Sequence, residues 1–592
     1  MPVLKELRPN RDLLDPNFSG YKLSLESVAV YQLPFECGVD HVLPSDEQYS
    51  FLHVKAFGLH NHLYADPWEG NSMYFIDKHR HVQNVRLSST SRLEGPARVW
   101  AVPPGRVREA GHYNTCLGFP SPQLAVLTDG AGRLLLAATD RRPGGAPWKL
   151  LFSGYVCEKE QPFTLLHSRH RTTHDTQEVH CLLLHIDESV GRESGDGKES
   201  VPVFVNVLEW VVVVEEGDNV WHVKSRRQLS AYGSLEYAAI EDSCCSIYVA
   251  CSKDIKFTAD SEKPIEVALQ GETKVSVSEK VRPDYMWMQT AEDVTAWFQL
   301  PEGTARGEVG VSAQSGHLAV TWRGHPLLSG APGHGLDADL TTWTLEGGKL
   351  EVTLVKAERG LMWRELVEGD AKGEEVVDPA LVADIHERLA HLTSDKLVTD
   401  PAGGCPTGLN SQQLEECDAF PTDSMVLARM DPGTHTNSHQ INLGGHQWLF
   451  SAQLRPGSAP AMCVRHDVDG CVWQPEAPRP GDADWPCTHV GTFLAFGYVL
   501  ASKQQRKFTV CAPDLSYVAV CEATRRVYLY RQPGAVAGEL RNRATGRRVA
   551  RVAKQQLASL DTDAEVLGAH GSGTALFLLL PEALVALRVD QA

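Results

Sequence analysis

The sequence predicts an all-β protein in which a β-propeller of about seven blades is interrupted by an antiparallel β-sandwich and a short helical linker. Short apolar strands joined by polar turns recur along the chain, and their spacing of roughly 40–60 residues is typical of propeller blades. The middle of the chain carries closely spaced strands rich in tryptophan. We assign residues 1–271 and 410–592 to the two parts of the propeller, 272–372 to the sandwich, and 373–409 to a helix and linker.

Each propeller unit is an apolar strand, a turn and a second apolar strand. Four units precede the sandwich and three follow it, at residues 72–87, 124–137, 203–223, 237–251, 448–465, 517–530 and 575–589. In the unit at 203–223 we expect residues 203–208 and 211–214 to form two strands. One blade cannot bury both of its faces, so blades stack into a ring whose ends meet. We therefore expect both flanks to build one ring, with the sandwich inserted between blades.

Two separate all-β domains are the alternative to one ring, but they would leave sheet edges unpaired in both.

The sandwich is predicted from five short strands, at residues 285–290, 294–301, 342–345, 350–356 and 363–366. In one of them Leu350, Val352 and Leu354 alternate with more polar residues, which is the period of a strand with one buried face. Residues 346–349 form a turn that joins two strands as a hairpin. We expect the sandwich core to contain Tyr285, Trp287, Trp297, Trp322 and Trp343.

A helix is predicted after the sandwich. Asp378 and Pro379 suit its N-cap and first turn, and apolar residues follow at helical spacing: Leu381, Val382, Ile385, Leu389 and Leu392. A second short helix is predicted at 411–417. Residues 187–200 lack apolar content and are predicted to be a disordered loop.

The strands of the middle stretch also resemble a known family. The pattern Tyr-x-Trp-x-Gln-Thr at 285–290, the Trp-Thr-Leu strand at 343–345, and the strand at 350–356 with Trp363 and Leu366 downstream are similar to the CS domain of the NudC family. Residues 331–335 depart from the pattern, because they stand where the family has an apolar strand before Trp343. The flanks resemble a member of the family over nearly the whole chain, through residues 13–16, 20–26, 414–418, 465–469 and 552–556.

The resemblance implies a sandwich similar to those of small heat-shock proteins, acting as a co-chaperone of heat-shock protein 90. It also implies protein clients, which in this family include proteins containing β-propellers.

Bulk composition excludes several function classes. The formal net charge of -19 argues against generic binding to nucleic-acid phosphates, which needs clustered positive charge. No apolar run approaches the roughly 20 residues of a membrane-spanning helix, and the first residues lack the apolar core of a signal peptide. Fourteen cysteines without framework spacing indicate reduced thiols. We expect a cytoplasmic and nuclear protein that does not insert into membranes.

Several histidines and cysteines are candidates for metal or redox sites. His167, His170 and His174 have spacings that could suit a metal, but neighbouring arginines and the absence of a Cys-x-x-Cys pattern favour an exposed loop. The pairs His60 with His62 and His79 with His81 are interpreted as cross-strand packing. Cys244, Cys245 and Cys251 are interpreted as small buried hydrophobic residues. We predict no metal site and no cofactor.

Catalytic motifs are also missing. His466 and Asp467 could imitate a catalytic pair, but neighbouring residues of a strand point to opposite faces. The sequence contains neither a Gly-x-Ser-x-Gly elbow nor a phosphate-binding loop. We therefore predict no catalytic residues and no enzymatic activity.

Two sets of residues are candidates for partner contacts. Lys356, Arg359 and Trp363 lie near the end of a sandwich strand. The second set is the basic run Arg541, Arg543, Arg547, Arg548, Arg551 and Lys554. That run could bind an acidic partner or direct nuclear import, or it could be a blade edge protected from aggregation by charge.

The predicted function is that of an adaptor. The sandwich is expected to engage heat-shock protein 90 or a client, and the propeller to offer a rigid surface to another protein. The alternative is a propeller enzyme or a regulatory protein associated with nucleic acid.

Overall fold

The computed structural model describes residues 4–265, 285–375 and 425–589, apart from short gaps at 141, 143–146, 174–175, 190–202, 218–219, 302, 315, 371, 480, 483, 502–504, 542–545 and 547. The helices predicted at 378–392 and 411–417 lie outside the described residues. So does most of the loop predicted at 187–200, although residues 187–189 continue a strand. The domain limits assigned from the sequence therefore stay predictions.

The described residues are mostly strands. Before the sandwich these are β1 Leu4–Glu6, β2 Lys22–Leu23, β3 Val30–Pro34, β4 Tyr64–Ala65, β5 Ser72–Ile76, β6 His81–Leu87, β7 Leu93–Ala101, β8 Cys116–Ser121, β9 Leu124–Thr128, β10 Arg133–Ala138, β11 Lys149–Tyr155, β12 Thr164–Thr173, β13 Thr176–Ser189, β14 Val203–Glu216, β15 Val220–Ala231, β16 Leu235–Ile240, β17 Ile247–Cys251 and β18 Ile255–Asp260.

The sandwich strands come next in the chain. They are β19 Tyr285–Gln289, β20 Asp293–Gln299, β21 Val309–Gln314, β22 His317–Trp322, β23 His325–Gly330, β24 Leu336–Glu346, β25 Lys349–Lys356 and β26 Gly373–Glu375. The remaining strands are β27 Val426–Asp431, β28 Thr436–Asn442, β29 Trp448–Ala452, β30 Ala461–His466, β31 Asp469–Pro475, β32 Cys487–Phe493, β33 Arg506–Cys511, β34 Tyr517–Glu522, β35 Arg526–Arg541, β36 Arg548–Ser559, β37 Gly568–Gly571, β38 Ala575–Leu580 and β39 Ala583–Arg588.

Helices are few and short. The described residues contain α1 Phe51–Gly58 and α2 Phe496–Ala501, with 3₁₀ turns at Arg11–Leu13, Glu158–Glu160 and Arg306–Glu308. Helix α1 begins after Ser50, whose side chain accepts a hydrogen bond from the backbone N–H of His53 and so caps the helix. None of the described helices has the length and apolar character that crossing a membrane requires.

Seven sheets of the described residues are propeller blades. From the innermost strand outwards they are blade 1 (β4-β5-β6-β7), blade 2 (β8-β9-β10-β11), blade 3 (β12-β13-β14-β15-β18), blade 4 (β16-β17-β27-β28-β1), blade 5 (β29-β30-β31-β32), blade 6 (β33-β34-β35-β36-β2) and blade 7 (β37-β38-β39-β3). Consecutive long strands pair antiparallel, as expected for chain segments joined by tight turns. The prediction of about seven blades is confirmed.

Buried apolar clusters join the blades into a closed ring. One cluster lies between each pair of successive blades, from blades 1 and 2 through to blades 6 and 7. A further cluster joins blade 7 to blade 1, where Phe577 and Leu584 pack with Phe75 and Val85. Because every blade buries both faces against neighbours, the free energy of apolar burial is shared around the whole ring.

The first residues of the chain complete blades built mainly from its last part. Strand β3 pairs antiparallel with β39 and is the outermost strand of blade 7. Strands β1 and β2 add parallel edge strands to blades 4 and 6. We call residues 4–23 the strap, because they run along the outer edge of the ring between these two blades.

The sandwich interrupts blade 4 rather than a connection between blades. Strand β17 pairs with β27, so that Tyr248 lies opposite Arg429, although the two strands are separated in sequence by the whole sandwich. After β17 the chain first adds β18 to the edge of blade 3. The prediction of an insertion between blades is therefore wrong. Strands β1, β16 and β17 of blade 4 precede the insertion in the chain, and β27 and β28 follow it.

Most of the predicted hairpins are present. The units at 72–87, 124–137, 237–251, 448–465, 517–530 and 575–589 each contain a pair of antiparallel strands. The unit at 203–223 differs, because residues 203–216 form the single strand β14, paired with β13 on one side and β15 on the other. A strand that is buried on both faces needs no alternation of polar and apolar residues. The continuous apolar run of β14 therefore did not show how long the strand is.

The sandwich consists of two facing sheets. One has the order β24-β25-β20-β19-β26 and the other β21-β22-β23. The predicted hairpin at 346–349 joins β24 to β25, and β24 supplies the edge strand although residues 331–335 depart from the family pattern. The strand predicted at 363–366 is wrong, because those residues are irregular backbone. Trp363 nevertheless lies in the core.

Residues 41–62, which we call the cap, cross one end of the ring. Lys55 donates hydrogen bonds to Ser234 and Leu235 of blade 4, and the ring of Phe57 stacks on Tyr113 ahead of blade 2. At the other side the amide of Asn61 donates to the carbonyl of Ala569 in blade 7 at 2.8 Å. The cap therefore links blade 4 to blade 7 across this end of the ring.

Candidate functional site: protein-binding surfaces

The predicted contact residues Lys356 and Trp363 are buried. Lys356 is 3% exposed and Trp363 is fully buried. The ammonium of Lys356 donates to Gln289 Oε1 at 2.9 Å and to the carbonyl oxygens of Thr290 and Leu361 at 2.7 and 2.8 Å. A buried charge is tolerated when hydrogen bonds replace its hydration. Neither side chain can contact a partner directly, so this part of the predicted face is wrong.

Arg359 is the exposed member of that predicted face. Its side chain is 80% exposed, and its guanidinium lies 3.8 Å from Glu292. Surface ion pairs at such distances contribute little to stability. Arg359 therefore remains a candidate contact residue.

The predicted sandwich core is correct for some of its aromatic residues only. Tyr285 and Trp287 are buried, and the half-buried Trp322 and Trp343 pack against the edge of the core. Trp297 is on the opposite face of its strand, because Val294, Ala296 and Phe298 take the inward positions of β20. The prediction for Trp297 is wrong.

Trp297 instead forms the centre of an apolar surface on the five-stranded sheet. Across the strands it lies opposite Met286, which is 44% exposed, and opposite Glu351. Its indole N–H donates to Glu351 Oε2 at 2.9 Å, and the amine of Lys349 lies 5.1 Å from its ring. We define the outer sheet face by Met286, Met288, Thr295, Trp297, Lys349 and Glu351.

The composition of the outer sheet face is typical of a protein-binding site. Tryptophan and methionine are enriched at interfaces, where a large side chain fills a partner's pocket and charged groups form the rim. Here Lys349 and Glu351 hold the indole of Trp297 in one orientation. The surface therefore meets a partner with little loss of side-chain freedom.

The cap carries a second apolar surface, on the ring. Several large apolar side chains of this segment are more than half exposed: Leu43, Tyr49, Phe51, Val54 and Leu59. Phe51 and Val54 are three residues apart in α1 and so share a face of the helix. Contiguous exposed apolar residues of this kind mark interaction sites more often than scattered ones.

The basic run lies on the outer hairpin of blade 6. Arg541 and Arg548 are exposed and directly opposite each other across β35 and β36, an arrangement in which like charges destabilise the pair. Arg551 is also exposed, and its Nε donates to the carbonyl of Pro533 at 3.0 Å. Arg543 and Arg547 lie outside the described residues. Lys554 lies 3.6 Å from Glu26.

The exposed loop predicted for His167 and His170 is wrong, because both residues lie in β12. Most of the histidines and cysteines named as candidate sites are packing residues. His167 Nδ1 accepts the N–H of Ile240 at 3.2 Å, and burial lowers its pKa to about 4. Burial also lowers the pKa of His60 to about 4 and that of His62 to about 2. Burial raises the pKa of the Cys244 thiol to about 11, which disfavours the reactive thiolate. His174 lies outside the described residues.

Cys251 and Cys245 differ in their environment. Burial raises the pKa of the Cys251 thiol, as it does for Cys244, whereas Cys245 is exposed. His466 and Asp467 lie at the end of β30 and in the turn that follows it, with 3.9 Å between His466 Nε2 and Asp467 Oδ2. This separation is longer than a hydrogen bond.

The strap contacts the sandwich directly, which the sequence did not predict. Arg11 donates to the carbonyl oxygens of Asp370 and Gly373 at 3.0 and 3.3 Å. Asn17 bonds both backbone groups of Met362, accepting its N–H at 3.1 Å and donating to its carbonyl at 3.3 Å. The segment that completes the ring therefore also holds the sandwich.

The sandwich matches a known domain family. Residues 283–356 match the CS domain family model. The C-terminal WD40 domain of Sif2 matches with a TM-score of 0.31 and 8% identity, covering 90% of this chain and 97% of that chain. The propeller assignment rests on the seven sheets and the clusters between them rather than on that likeness.

Two curated relatives match over nearly their full length. NudC domain-containing protein 1 of Mus musculus is 37% identical over 589 residues, covering 99% of this chain and 98% of the relative. The protein of the same name in Xenopus tropicalis is 36% identical over 598 residues, with the same coverage. The CS domain and these relatives indicate a co-chaperone-like or protein-interaction role. At this identity and coverage, the chain belongs to the NudC domain-containing protein 1 family.

Proposed function

We propose that this protein is an adaptor without chemistry of its own, whose outer sheet face binds heat-shock protein 90 or a client. The observation that carries the proposal is Trp297, which stands on the solvent side of the sheet beside exposed Met286 and is held there by Glu351. An outward tryptophan adds nothing to the sandwich core, and it supplies the kind of anchor that dominates binding energy at interfaces. The CS domain match supports a partner of the chaperone type.

The ring is the second binding module of the proposed adaptor. Its cap presents Phe51 and Val54 beside the exposed Tyr49, on a frame that the inter-blade clusters hold rigid. A rigid surface loses little entropy on association. The proposed partner of the ring is a protein client, and the proposed location is the cytoplasm and nucleus.

The test compares full-length variants for binding to purified heat-shock protein 90 by titration calorimetry. We expect Trp297→Ala to weaken binding about 30-fold, which corresponds to the ~2 kcal/mol typical of an interface anchor. Leu340→Ala is the matched control, because Leu340 is 55% exposed on the same sheet, at its edge strand. It should bind as the parent protein does.

Equal affinity of the Trp297→Ala variant and the parent would exclude the outer sheet face as the chaperone site. The same variants are then used to recover proteins from cell extract. Loss of one set of recovered proteins with Trp297→Ala, at unchanged affinity for the chaperone, would identify the face as a client site.

A basic surface on an acidic chain favours an acidic partner for the hairpin of blade 6. Arg541 and Arg548 oppose each other at a cost in stability, and a carboxylate-rich segment of another protein would offset that repulsion.

A further inference from the structure

A thiol, a carboxylate and an imidazole meet at the turn between β5 and β6, and a second imidazole lies beside the carboxylate. Cys37 Sγ lies 3.2 Å from His79 Nδ1, and ligand atoms of Cys37, Asp77 and His79 lie within 4.8 Å of one another. His81 Nδ1 is 3.4 Å from Asp77 Oδ2. Asp77 is 1% exposed, whereas His79 is exposed, so the cluster has a fixed base and an open side.

The corresponding turn of blade 2 shows which contacts of Asp77 form the turn and which are particular to blade 1. Asp129 there accepts the backbone N–H groups of Ala131 and Arg133 at 2.9 and 3.0 Å. Asp77 accepts those of His79 and His81 at 2.9 Å each. The aspartate is thus a turn-forming residue in both blades.

The side chains around the two aspartates differ in charge. In blade 2 the guanidinium of Arg133 lies 3.1 Å from Asp129 Oδ2 and brings a permanent positive charge to the carboxylate. In blade 1 the position of Arg133 belongs to His81, and His79 and Cys37 lie on another side of Asp77. Cys37, Asp77 and His79 are metal-binding groups, and a divalent cation among them would supply the charge that Arg133 supplies in blade 2.

The separations suit a tetrahedral zinc ion. With Zn–S near 2.3 Å and Zn–N near 2.0 Å, neighbouring ligand atoms are roughly 3.4–3.6 Å apart. The distance of 3.2 Å between Cys37 Sγ and His79 Nδ1 differs from these values by a few tenths of an ångström, and a ligand atom of Asp77 lies within 4.8 Å of both. Gln83 donates to Asp77 Oδ2 at 2.7 Å and fixes the carboxylate, as outer-sphere partners of metal ligands do.

The cluster lies at the seam where the ring closes. Residue 37 follows β3, the strand that completes blade 7. Val39 N donates to the carbonyl of Pro581 in blade 7, and Lys78 N donates to that of Gly38, both at 2.8–2.9 Å. A metal bound by Cys37 and His79 would therefore tie the closing segment to blade 1.

We propose that Cys37, Asp77 and His79 bind a zinc ion, and that the ion reinforces closure of the ring. Mixed thiolate, imidazole and carboxylate ligands select zinc over magnesium and calcium. Zinc would bind the thiolate form of Cys37, with release of the thiol proton. The amine of Lys78 approaches the backbone of Gly38, and its positive charge weakens the site.

The test is titration of the metal-free full-length protein with Co²⁺, followed by displacement with Zn²⁺. We expect one equivalent of cobalt to give a thiolate-to-cobalt charge-transfer absorption that zinc removes. Cys37→Ser should abolish this band, and Gln83→Ala should weaken zinc binding about 10–100-fold. Lys78→Gln should tighten it. Cys245→Ser is the matched control, because Cys245 is an exposed thiol outside the cluster and should leave the band unchanged.

Thermal melting supplies a second readout that does not depend on cobalt. Zinc should raise the melting temperature of the parent and of Cys245→Ser, because a ligand that binds the folded state stabilises it. It should leave Cys37→Ser unshifted, and the metal-free melts of the variants report whether they fold. A cobalt complex without the charge-transfer band, or with the same band in Cys37→Ser, would overturn the proposal.

Discussion

The charged end of Lys356 lies inside the sandwich, where three carbonyl oxygens accept its hydrogen bonds. We expect Lys356→Met to destabilise the sandwich by about 3 kcal/mol, because it leaves buried acceptors on Thr290 and Leu361 without donors. In the full-length protein this should speed hydrogen exchange of the amides in β19 and β25 by about a hundredfold.

Arg359→Met is the control for that change, since it removes a positive charge at an exposed position close by in the chain. It should leave exchange in both strands as it is in the parent. Equal exchange in Lys356→Met and Arg359→Met would show that the buried hydrogen bonds of Lys356 do not stabilise the sandwich.

His185 makes the stability of blade 3 depend on pH. Burial lowers its pKa, but Asp187 at 3.0 Å and Glu209 at 3.8 Å outweigh burial and raise the pKa to about 9. An unfolded histidine titrates near 6.5. The folded protein therefore holds a proton that the unfolded chain releases between these values. The stabilisation is complete below pH 6.5 and is lost as pH rises through 9.

Urea unfolding between pH 6 and 10 measures this loss. The free energy of unfolding should fall by at most about 1.4 kcal/mol per pH unit from His185. His185→Gln should remove that part of the slope. An unchanged slope in the variant would assign the pH dependence to other groups.

At the scale of strands, the alternation of inward and outward positions predicts which side chains of the sandwich are buried and which face solvent. Leu350, Val352 and Leu354 are buried as expected, and the same parity places Lys356 inside. In β20 the side chains of Ala296 and Phe298 point inwards, so the alternation places Trp297, which lies between them, outside. Residue type led to the opposite expectation in both cases, because lysine is mostly exposed and tryptophan mostly buried. The alternation alone therefore predicts that Trp297 belongs to the outer sheet face.

Pairings across long sequence separations could not be predicted from local patterns. The partner of β17 is β27, and nothing in either strand specifies that register. The zinc ligands Cys37 and His79 meet only because β3 closes the ring. The contacts of the strap could not be predicted either, since Arg11 and Asn17 lie in short polar segments without periodicity.

Removing the contacts that the strap makes with the sandwich should uncouple the sandwich from the ring. Arg11 and Asn17 bond the backbone of residues 362–373, while β1 and β2 on either side are held in blades 4 and 6. In the double variant Arg11→Ala, Asn17→Ala, we expect faster hydrogen exchange at residues 361–373 and an increased radius of gyration. The sandwich would then move independently of the ring.

Lys22→Ala is the control, because Lys22 belongs to the strap but its side chain is exposed. It should change neither measurement. If the double variant exchanged as the parent does, the contacts of Arg11 and Asn17 would not be what positions the sandwich.

At the scale of the whole molecule, the ring is built from both ends of the chain. Blade 4 takes β1, β16 and β17 from before the sandwich and β27 and β28 from after it, while blade 7 takes β3 from the beginning and three strands from the end. Each part alone would expose strand edges and the apolar faces of half a blade. Such edges are templates for aggregation.

We therefore expect residues 1–270 to aggregate when expressed alone and to become soluble when residues 400–592 are co-expressed. The two fragments should co-purify, because the clusters around Phe75 with Phe577 and around Ile240 with Met430 can form only between them. Phe577→Asp in the second fragment is the control, since a charge in the closing cluster should abolish rescue. A soluble first fragment that melts cooperatively by itself would contradict a ring closed by both ends of the chain.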